Sequence, residues 1–290
     1  MSTIDRNEIL QHVQKLPVLS SVVTELLTSM DQEDVDVDSI AKKIAFDQVL
    51  TIKTLRLANS SFYGMQHKIS SVSEAISIIG FRNVRMMIAS SAITGSFKSS
   101  KIKHFNFSSF WQHSIGTAVC AREIAGHIGS NQEYAFITGL IHDIGKLVLV
   151  THYAEQYEKA LEYQISHGCD SLSAEREILG TDHSEISKAV VKYWKFPEEM
   201  QLAVAKQHLL EVEHADGAAS ETGPVHQLAG VVHLADIFSI ALDFAGDEYA
   251  VVPKISATVW EKMQLDEATC NRIFSNAEKK FEEISQILIE

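Results

Sequence analysis

The chain has 290 residues, of which 46% are hydrophobic and 22% are charged, a composition typical of a globular protein with a substantial core. Its formal net charge of −13 argues against a nucleic-acid partner, because binding a phosphate backbone requires a basic face. The three cysteines lie far apart and predict neither a disulfide framework nor a zinc ribbon. The N-terminus has no signal-peptide core, and no apolar run approaches the roughly 20 residues of a spanning helix. We therefore expect a cytoplasmic protein without membrane contact.

The first hundred residues have the pattern of about five short helices. Apolar residues recur at helical spacing in 18–30. Asp38 is expected to cap a helix over 39–46, and the helix after it is expected to stop at Gly64.

A capping box predicts the start of the next helix, because Ser71 precedes Glu74 by three residues. That helix is expected to end at Gly80, and residues 82–96 repeat the helical pattern. The following segment, 95–109, is rich in Ser and Lys and is the predicted internal boundary.

Longer helices are predicted beyond this boundary. They are expected at 108–128, 132–150, 183–195 and 226–245. Residues 215–224 are the most loop-like stretch, and 267–290 have the pattern of an amphipathic closing helix. No stretch shows clean period-two alternation, so we predict an all-α fold. A smaller N-terminal helical lobe is expected over 1–100 and a helical bundle with C-terminal helices over 101–290.

Several polar residues of metal-ligand type lie in apolar helical segments. They are His113, the neighbours His142 and Asp143, His183, His208 and Asp236. Imidazole and carboxylate groups suit zinc, and added carboxylates extend the choice to iron and manganese. Ligands from distant helices converge when those helices pack as a bundle. Asp182 and Glu185 fit an N-cap and N3 pair, which places His183 in a first turn where the helix dipole disfavours its protonated form.

The same residues also fit structural roles. A lone histidine in an amphipathic helix, such as His113 or His208, is often a hydrogen-bonded core residue. Asp236 could cap a helix or pair with an arginine, and a His-Asp dipeptide recurs by chance. Spacing alone leaves both interpretations open.

The order of these residues provides further information. His113, the pair His142-Asp143 and Asp236 resemble the HD superfamily of metal-dependent phosphohydrolases. The form HDIGK, which ends at Lys146, is the one used in bacterial signalling branches of that superfamily.

Four longer motifs indicate which branch the chain resembles. They are LPVLSSVV, LRLANSSFYG, ISSVSEAISIIG and FWQHSIGTAVCAREIAG. Together they are similar to the HDOD domain, the HD-related output domain, over residues 12–210.

This resemblance implies an HD-type helical bundle behind a small N-terminal lobe, and a bacterial signal-transduction role as a regulatory interaction module with a protein partner. Catalysis is generally unproven in this branch, and many members have lost metal ligands. Here the resemblance implies a divalent-metal site, for Fe, Mn, Zn or Ni. Its basic set would be His113, His142, Asp143 and Asp236, with His183 and His208 matching the additional histidines of two-metal relatives.

The chain departs from relatives that hydrolyse cyclic di-GMP. Leu209 follows His208 where those relatives have paired histidines, and the Gly-Tyr-Pro element of the next loop is absent. The resemblance therefore argues against cyclic di-GMP as a substrate.

Two functions remain from the sequence. The first is a regulatory module, whose partner would carry a basic patch to match this acidic chain. The second is a metal-dependent phosphohydrolase acting on a phosphoester or nucleotide, with Asp143 holding the metal and Lys146 neutralising charge on the phosphate. Lys146 could instead be a surface lysine. An enzyme needs an open cleft above its ligands, whereas a scaffold can fill that cleft with side chains.

Overall fold

The structure is a computed structural model and describes residues 4–31, 35–59, 68–97, 102–208, 224–247 and 251–289. Across these ranges the chain forms sixteen α-helices and no strand. An isolated antiparallel bridge joins Ile102 and Phe105. The predicted all-α class is confirmed.

The N-terminal part contains six helices among its described residues. They are α1 (Arg6–Val13), α2 (Ser21–Thr28), α3 (Val37–Phe46), α4 (Gln48–Ala58), α5 (Val72–Ile79) and α6 (Phe81–Thr94). A 3-10 turn at Ser29–Asp31 follows α2. The sequence predicted about five helices and missed α1, which has only eight residues and therefore a short periodic signal.

Two predicted boundaries in this part need comment. Asp36 rather than Asp38 caps α3, because the Asp36 side chain accepts a hydrogen bond from the backbone N of Ser39 at 3.0 Å. Asp38 instead lies in the first turn. The predicted stop at Gly64 lies outside the described residues, and α4 ends at Ala58.

The predicted N-cap at Ser71 is confirmed, and Glu74 reaches back to the residue before that cap. The Ser71 hydroxyl accepts a hydrogen bond from the backbone N of Glu74 at 3.1 Å. The Glu74 carboxylate in turn accepts from the backbone N of Ser70, at 3.0 Å. Gly80 follows with a φ of 84°, a conformation that glycine adopts without steric cost.

Ten helices form the larger part. They are α7 (Phe107–His127), α8 (Gln132–Ile141), α9 (Ile144–His152), α10 (Ala154–His167), α11 (Ser171–Leu179), α12 (His183–Tyr193), α13 (Glu198–Lys206), α14 (Pro224–Ala241), α15 (Ala257–Met263) and α16 (Glu267–Ile289). The long helix α7 lies at the centre and packs against α8, α14 and α16. The predicted closing helix is confirmed as α16. The predicted loop at 215–224 lies outside the described residues, except for its last residue.

The helix predicted over 132–150 is wrong as a single element. It ends at Ile141, and a new helix starts at Ile144, so that His142 and Asp143 lie in a turn. Both halves are apolar and buried, which is why hydrophobic periodicity does not reveal the break. Helix α14 also ends at Ala241, four residues before the predicted end at 245.

Residues 132–152 are long and apolar enough, by length and composition, to cross a membrane. This corrects the expectation that no apolar run approaches that length. In the structure 89% of the apolar window is buried against other helices, as in the core helix of a globular protein. Helices α5 and α6 pass the same test only as a pair bent by 116°.

A buried arginine links the two parts of the chain. Arg85 of α6 is 3% exposed, and its Nη2 lies 2.6 Å from a carboxylate oxygen of Glu133 on α8. Its Nη1 donates to the backbone O of Ser29 at 2.6 Å. Hydrophobic side chains from both parts belong to one core cluster, and the division at residue 100 remains a prediction.

Candidate metal centre

Five elements bring the six predicted metal-site residues together. His113 lies on α7 and Asp236 on α14. His142 and Asp143 lie in the turn between α8 and α9. His183 lies in the first turn of α12, and His208 lies in the turn after α13. His113 and Asp236 are 123 positions apart in the sequence, and their side chains are in contact because the helices pack as a bundle. The carboxylate of Asp143 lies between two groups of histidines.

The first group surrounds the Nε2 atoms of His113 and His142, which lie 3.3 Å apart. Asp236 Oδ1 lies 3.1 Å from His113 Nε2 and 3.7 Å from His142 Nε2. Asp143 Oδ2 lies 3.5 Å from His142 Nε2. Two imidazoles and two carboxylates therefore face a common point.

The second group lies on the other side of Asp143. Its Oδ1 lies 3.1 Å from His183 Nε2 and 3.8 Å from His208 Nε2, and the two Nε2 atoms are 3.4 Å apart. Each oxygen of the Asp143 carboxylate thus serves one group. This is the arrangement expected of a carboxylate shared by two metal positions.

Hydrogen bonds at the outer ring nitrogens fix which nitrogen faces the centre. His142 Nδ1 lies 2.7 Å from the backbone O of Gly139, an acceptor, so Nδ1 donates to that oxygen and Nε2 faces the centre. His183 Nδ1 lies 2.7 Å from a carboxylate oxygen of Glu175. Acceptors that orient the outer ring nitrogen are typical of metal-ligating histidines.

A buried oxygen provides a direct test of fit. Asp143 Oδ1 accepts no well-formed hydrogen bond within the described part of the chain, although His183 Nε2 is close to it. A buried carboxylate oxygen that has an ion-pair neighbour but no well-formed hydrogen bond is incompletely satisfied. Together with the facing histidine nitrogens, this oxygen shows that the residues present fit divalent cations on either side of Asp143.

The electrostatics of the centre favour bound positive charge. Burial raises the pKa of Asp236, but hydrogen bonds from His113 and His142 outweigh it and hold that pKa well below its ordinary value. Burial likewise opposes ionisation of Asp143, and the surrounding cationic groups, led by His142 and Lys146, still lower its pKa. Both carboxylates are therefore ionised.

The expectation that the helix dipole keeps His183 neutral is wrong for the ion-free protein. Burial lowers the pKa of His183, but the carboxylates of Glu175 and Asp143 outweigh burial and raise it to about 9. The same two carboxylates would stabilise a cation in place of that proton.

Lys146 is a cavity residue rather than a solvated surface lysine. Its Nζ lies 2.5 Å from Asp143 Oδ2, and its side chain is 21% exposed. Burial lowers the pKa of Lys146, but the carboxylate of Asp143 outweighs burial, and the pKa is raised overall. The ammonium group is therefore a fixed positive charge beside the centre.

Glu175 is a site residue that the sequence analysis missed. It is 1% exposed on α11, and its carboxylate accepts the backbone N of His183 at 2.6 Å as well as contacting the ring. A signal was present, because Glu175 shares the apolar face of α11 with Ile178 and Leu179, at the i+3 and i+4 positions. A charged residue on a buried face indicates a specific partner.

An open cavity lies above the centre. Its volume is about 1550 Å³, larger than the ~300–1,000 Å³ of most ligand pockets. Asp143, Lys146 and His183 lie at its inner surface, and Phe105 and Tyr157 belong to an aromatic wall. Among the described residues, side chains therefore line the cleft that an enzyme requires rather than fill it.

The chain has the same fold as several solved structures. The chain is 24% identical, with a TM-score of 0.72, to a proposed phosphohydrolase of Shewanella amazonensis, and the match covers 97% of both chains. It is 21% identical, with a TM-score of 0.71, to an HDOD domain protein of unknown function from Geobacter sulfurreducens, over 99% of both chains. At these identities the likeness shows the fold.

Two further relatives are longer than this chain. A proposed signal transduction protein of Marinobacter aquaeolei has a TM-score of 0.78 at 20% identity, and the match covers all of this chain and 63% of that one. An uncharacterized protein of Treponema pallidum is 24% identical over 204 residues, 70% of this chain and 39% of its own length. The profile of the HDOD domain matches residues 16–210, more than half of the chain. The chain belongs to the HDOD family.

Proposed function

We propose that this HDOD protein is a divalent-metal-dependent phosphohydrolase acting on a phosphoester or nucleotide. One observation carries the proposal: the Asp143 carboxylate is shared by two histidine groups at the inner surface of an open cavity. A chain that served only as a scaffold would not need to maintain a complete ligand set beneath an accessible cleft. The cytoplasmic location expected from the sequence is part of the same proposal.

The ligand set divides between two positions. His113, His142 and Asp236 would hold one ion and His183 and His208 the other, with Asp143 shared between them. A divalent ion bound at such a site lowers the pKa of coordinated water and polarises a phosphoryl oxygen. Iron, manganese, zinc and nickel all accept this donor set.

The chain's own residues supply the remaining functions. Lys146 places an ammonium group at the cavity surface, where it would neutralise negative charge on a phosphate. Phe105 and Tyr157 form an apolar wall that would exclude water from part of a bound substrate. Glu175 holds the ring of His183 in place. We do not expect cyclic di-GMP among the substrates, because Leu209 stands where the resemblance implies a second histidine in the relatives that hydrolyse it.

The test compares the wild type with Asp143→Ala by elemental analysis and by hydrolysis of bis(p-nitrophenyl) phosphate and p-nitrophenyl phosphate. We expect Asp143→Ala to lose two metal equivalents per chain and all turnover above background. Asp243→Asn is the matched control: Asp243 also lines the cavity, and asparagine tolerates its backbone φ of 53°. Equal metal content in the wild type and Asp143→Ala, or metal-loaded protein without turnover on either ester, would contradict the proposal.

A second candidate function is the regulatory interaction module, and a separate observation favours it. Three large apolar side chains on α3 and α4 point into solvent: Phe46 is 90% exposed, Val49 59% and Ile52 66%. Exposed apolar residues grouped in this way are typical of protein-interaction surfaces. The net charge of −13 favours a partner with a basic patch. In-cell crosslinking should then give partner peptides that are lost in Phe46→Ser and retained in Asp143→Ala.

A further inference from the structure

A second cluster of ligand-type side chains lies outside the candidate metal centre, where residues 102–105 meet helix α10. On α10, Tyr157 and Leu161 line the cavity, and Glu158 and Glu162 each follow one position later. In the facing segment His104 and Phe105 both line the cavity, and the Phe105 ring lies 6.1 Å from the Tyr157 ring between centroids. The seam between the two walls therefore carries one imidazole and two carboxylates.

The three side chains are close enough to share one ion. His104 Nδ1 contacts a carboxylate oxygen of Glu158, and the backbone N of His104 lies 3.4 Å from the other. One nitrogen or oxygen from each of His104, Glu158 and Glu162 lies within 4.8 Å of the other two. The side chains of His104 and Glu158 are only 17% and 20% exposed, so their positions are constrained by packing.

Among the described residues, the ion pair at this cluster involves one of its two carboxylates, that of Glu158. Glu158 and Glu162 are one helical turn apart, a spacing at which like charges repel. Within the described ranges, Glu162 has no hydrogen bond or ion pair. A protonated His104 would offset only one of the two negative charges, whereas a divalent cation offsets both.

We propose that His104, Glu158 and Glu162 form a divalent-cation site at the edge of the cavity wall, where residues 102–105 meet α10, separate from the candidate metal centre. With one imidazole, two carboxylates and no thiolate, the site suits Zn²⁺, Mn²⁺ or Fe²⁺ and leaves positions for water. A bound ion joins residues 102–105 to α10 and thereby holds Phe105 against Tyr157. The proposal shares no ligand with the centre and does not depend on hydrolysis.

The alternative is an ordinary ion pair between His104 and Glu158, with Glu162 solvated. The two cases differ in metal binding, so the test is zinc titration by calorimetry in the Asp143→Ala background. There we expect one zinc equivalent to remain. Adding Glu162→Gln should weaken it by at least about tenfold, as removing a ligand costs no less than removing an outer-shell partner. Glu155→Gln is the matched control, an exposed glutamate on the same helix.

Because Asp143→Ala could impair folding, the same comparison is made in the otherwise wild-type chain. Glu162 is exposed, so its replacement leaves packing intact. In Glu162→Gln, one zinc equivalent should bind at least about tenfold more weakly than in the wild type and in Glu155→Gln. Equal zinc binding by Glu162→Gln and the wild type would overturn the proposal. So would a folded Asp143→Ala protein that binds no zinc.

Discussion

Glu175 holds His183 by two contacts at once, accepting its backbone N at 2.6 Å and lying 2.7 Å from its Nδ1. The first contact fixes the start of α12 and the second fixes the rotation of the ring. As a result, Nε2 of His183 is directed at Asp143 Oδ1, 3.1 Å away. A buried carboxylate on α11 thus determines the geometry of a residue on α12.

Glu175→Gln should therefore weaken metal binding at the group formed by His183 and His208. Loss of an outer-shell carboxylate partner typically lowers metal affinity by about 10- to 100-fold. The group formed by His113 and His142 should keep its affinity, since the hydrogen bonds of Glu175 within the described residues go to His183. Metal titration would show one weakened step, with the remaining steps unchanged. Glu177→Gln, an exposed change on the same helix, is the control, and identical titrations for both variants would refute this role.

The shared position of Asp143 predicts a difference between single-ligand variants. His113→Gln and His208→Gln should each bind one metal equivalent fewer than the wild type, because each removes a ligand from one group only. Asp143→Ala should bind two fewer. Inductively coupled plasma mass spectrometry of the purified proteins measures the difference. A loss of both equivalents in either histidine variant would mean that the two groups act as a single site.

Much of the fold could be predicted from hydrophobic periodicity and helix caps. The box at Ser71 and Glu74 and the pair at Asp182 and Glu185 depend on contacts within one turn, so the sequence specifies them directly. The break at His142 could not be predicted in this way, because the apolar pattern continues through it on both sides.

The residues of the candidate metal centre could be predicted from the sequence for a different reason. The order of His113, the His142-Asp143 pair and Asp236 carries a family pattern, although the distances between them depend on how distant helices pack. Glu175 belongs to no such pattern, and its role follows only from the tertiary contact with His183. Asp36 caps α3 although the sequence predicted Asp38. Both aspartates are residues that favour an N-cap, and the backbone conformation determines which of them occupies that position.

Gly145 allows α9 to approach α12 closely behind the centre. A Cβ at this position would lie 2.1 Å from the backbone O of His183 and 2.8 Å from the backbone N of Ser187. Backbone atoms cannot move aside cheaply, so Gly145→Ala should lower the free energy of unfolding by about 1–3 kcal/mol or more. It should also displace His183 and weaken metal binding.

Chemical denaturation of the metal-free proteins measures the effect of Gly145→Ala on stability. Gly126→Ala is the control within a helix, because its nearest neighbour is the flexible side chain of Gln132 at 3.3 Å. Alanine favours the helix by up to about 1 kcal/mol there, so this variant should be no less stable than the wild type. Equal stability of the two alanine variants would show that α9 and α12 separate more easily than their packing indicates.

The buried pair of Arg85 and Glu133 should contribute strongly to holding α6 on α8. Arg85→Leu leaves the Glu133 carboxylate and the backbone O of Ser29 without their partner in a largely buried setting. Breaking a buried ion pair typically costs about 3–5 kcal/mol, and we expect a loss of that order in the free energy of unfolding. The double variant Arg85→Leu/Glu133→Leu should recover part of it, because no uncompensated charge remains.

Arg82 provides the control for this pair. It also reaches Glu133, at 3.6 Å, but its side chain is 86% exposed. Exposed ion pairs contribute at most about 1 kcal/mol, so Arg82→Leu should unfold at nearly the wild-type denaturant concentration. Equal losses in the free energy of unfolding for Arg85→Leu and Arg82→Leu would show that burial does not strengthen the ion pair of Arg85 with Glu133. The attachment of α6 to α8 would then depend on the apolar contacts around the pair.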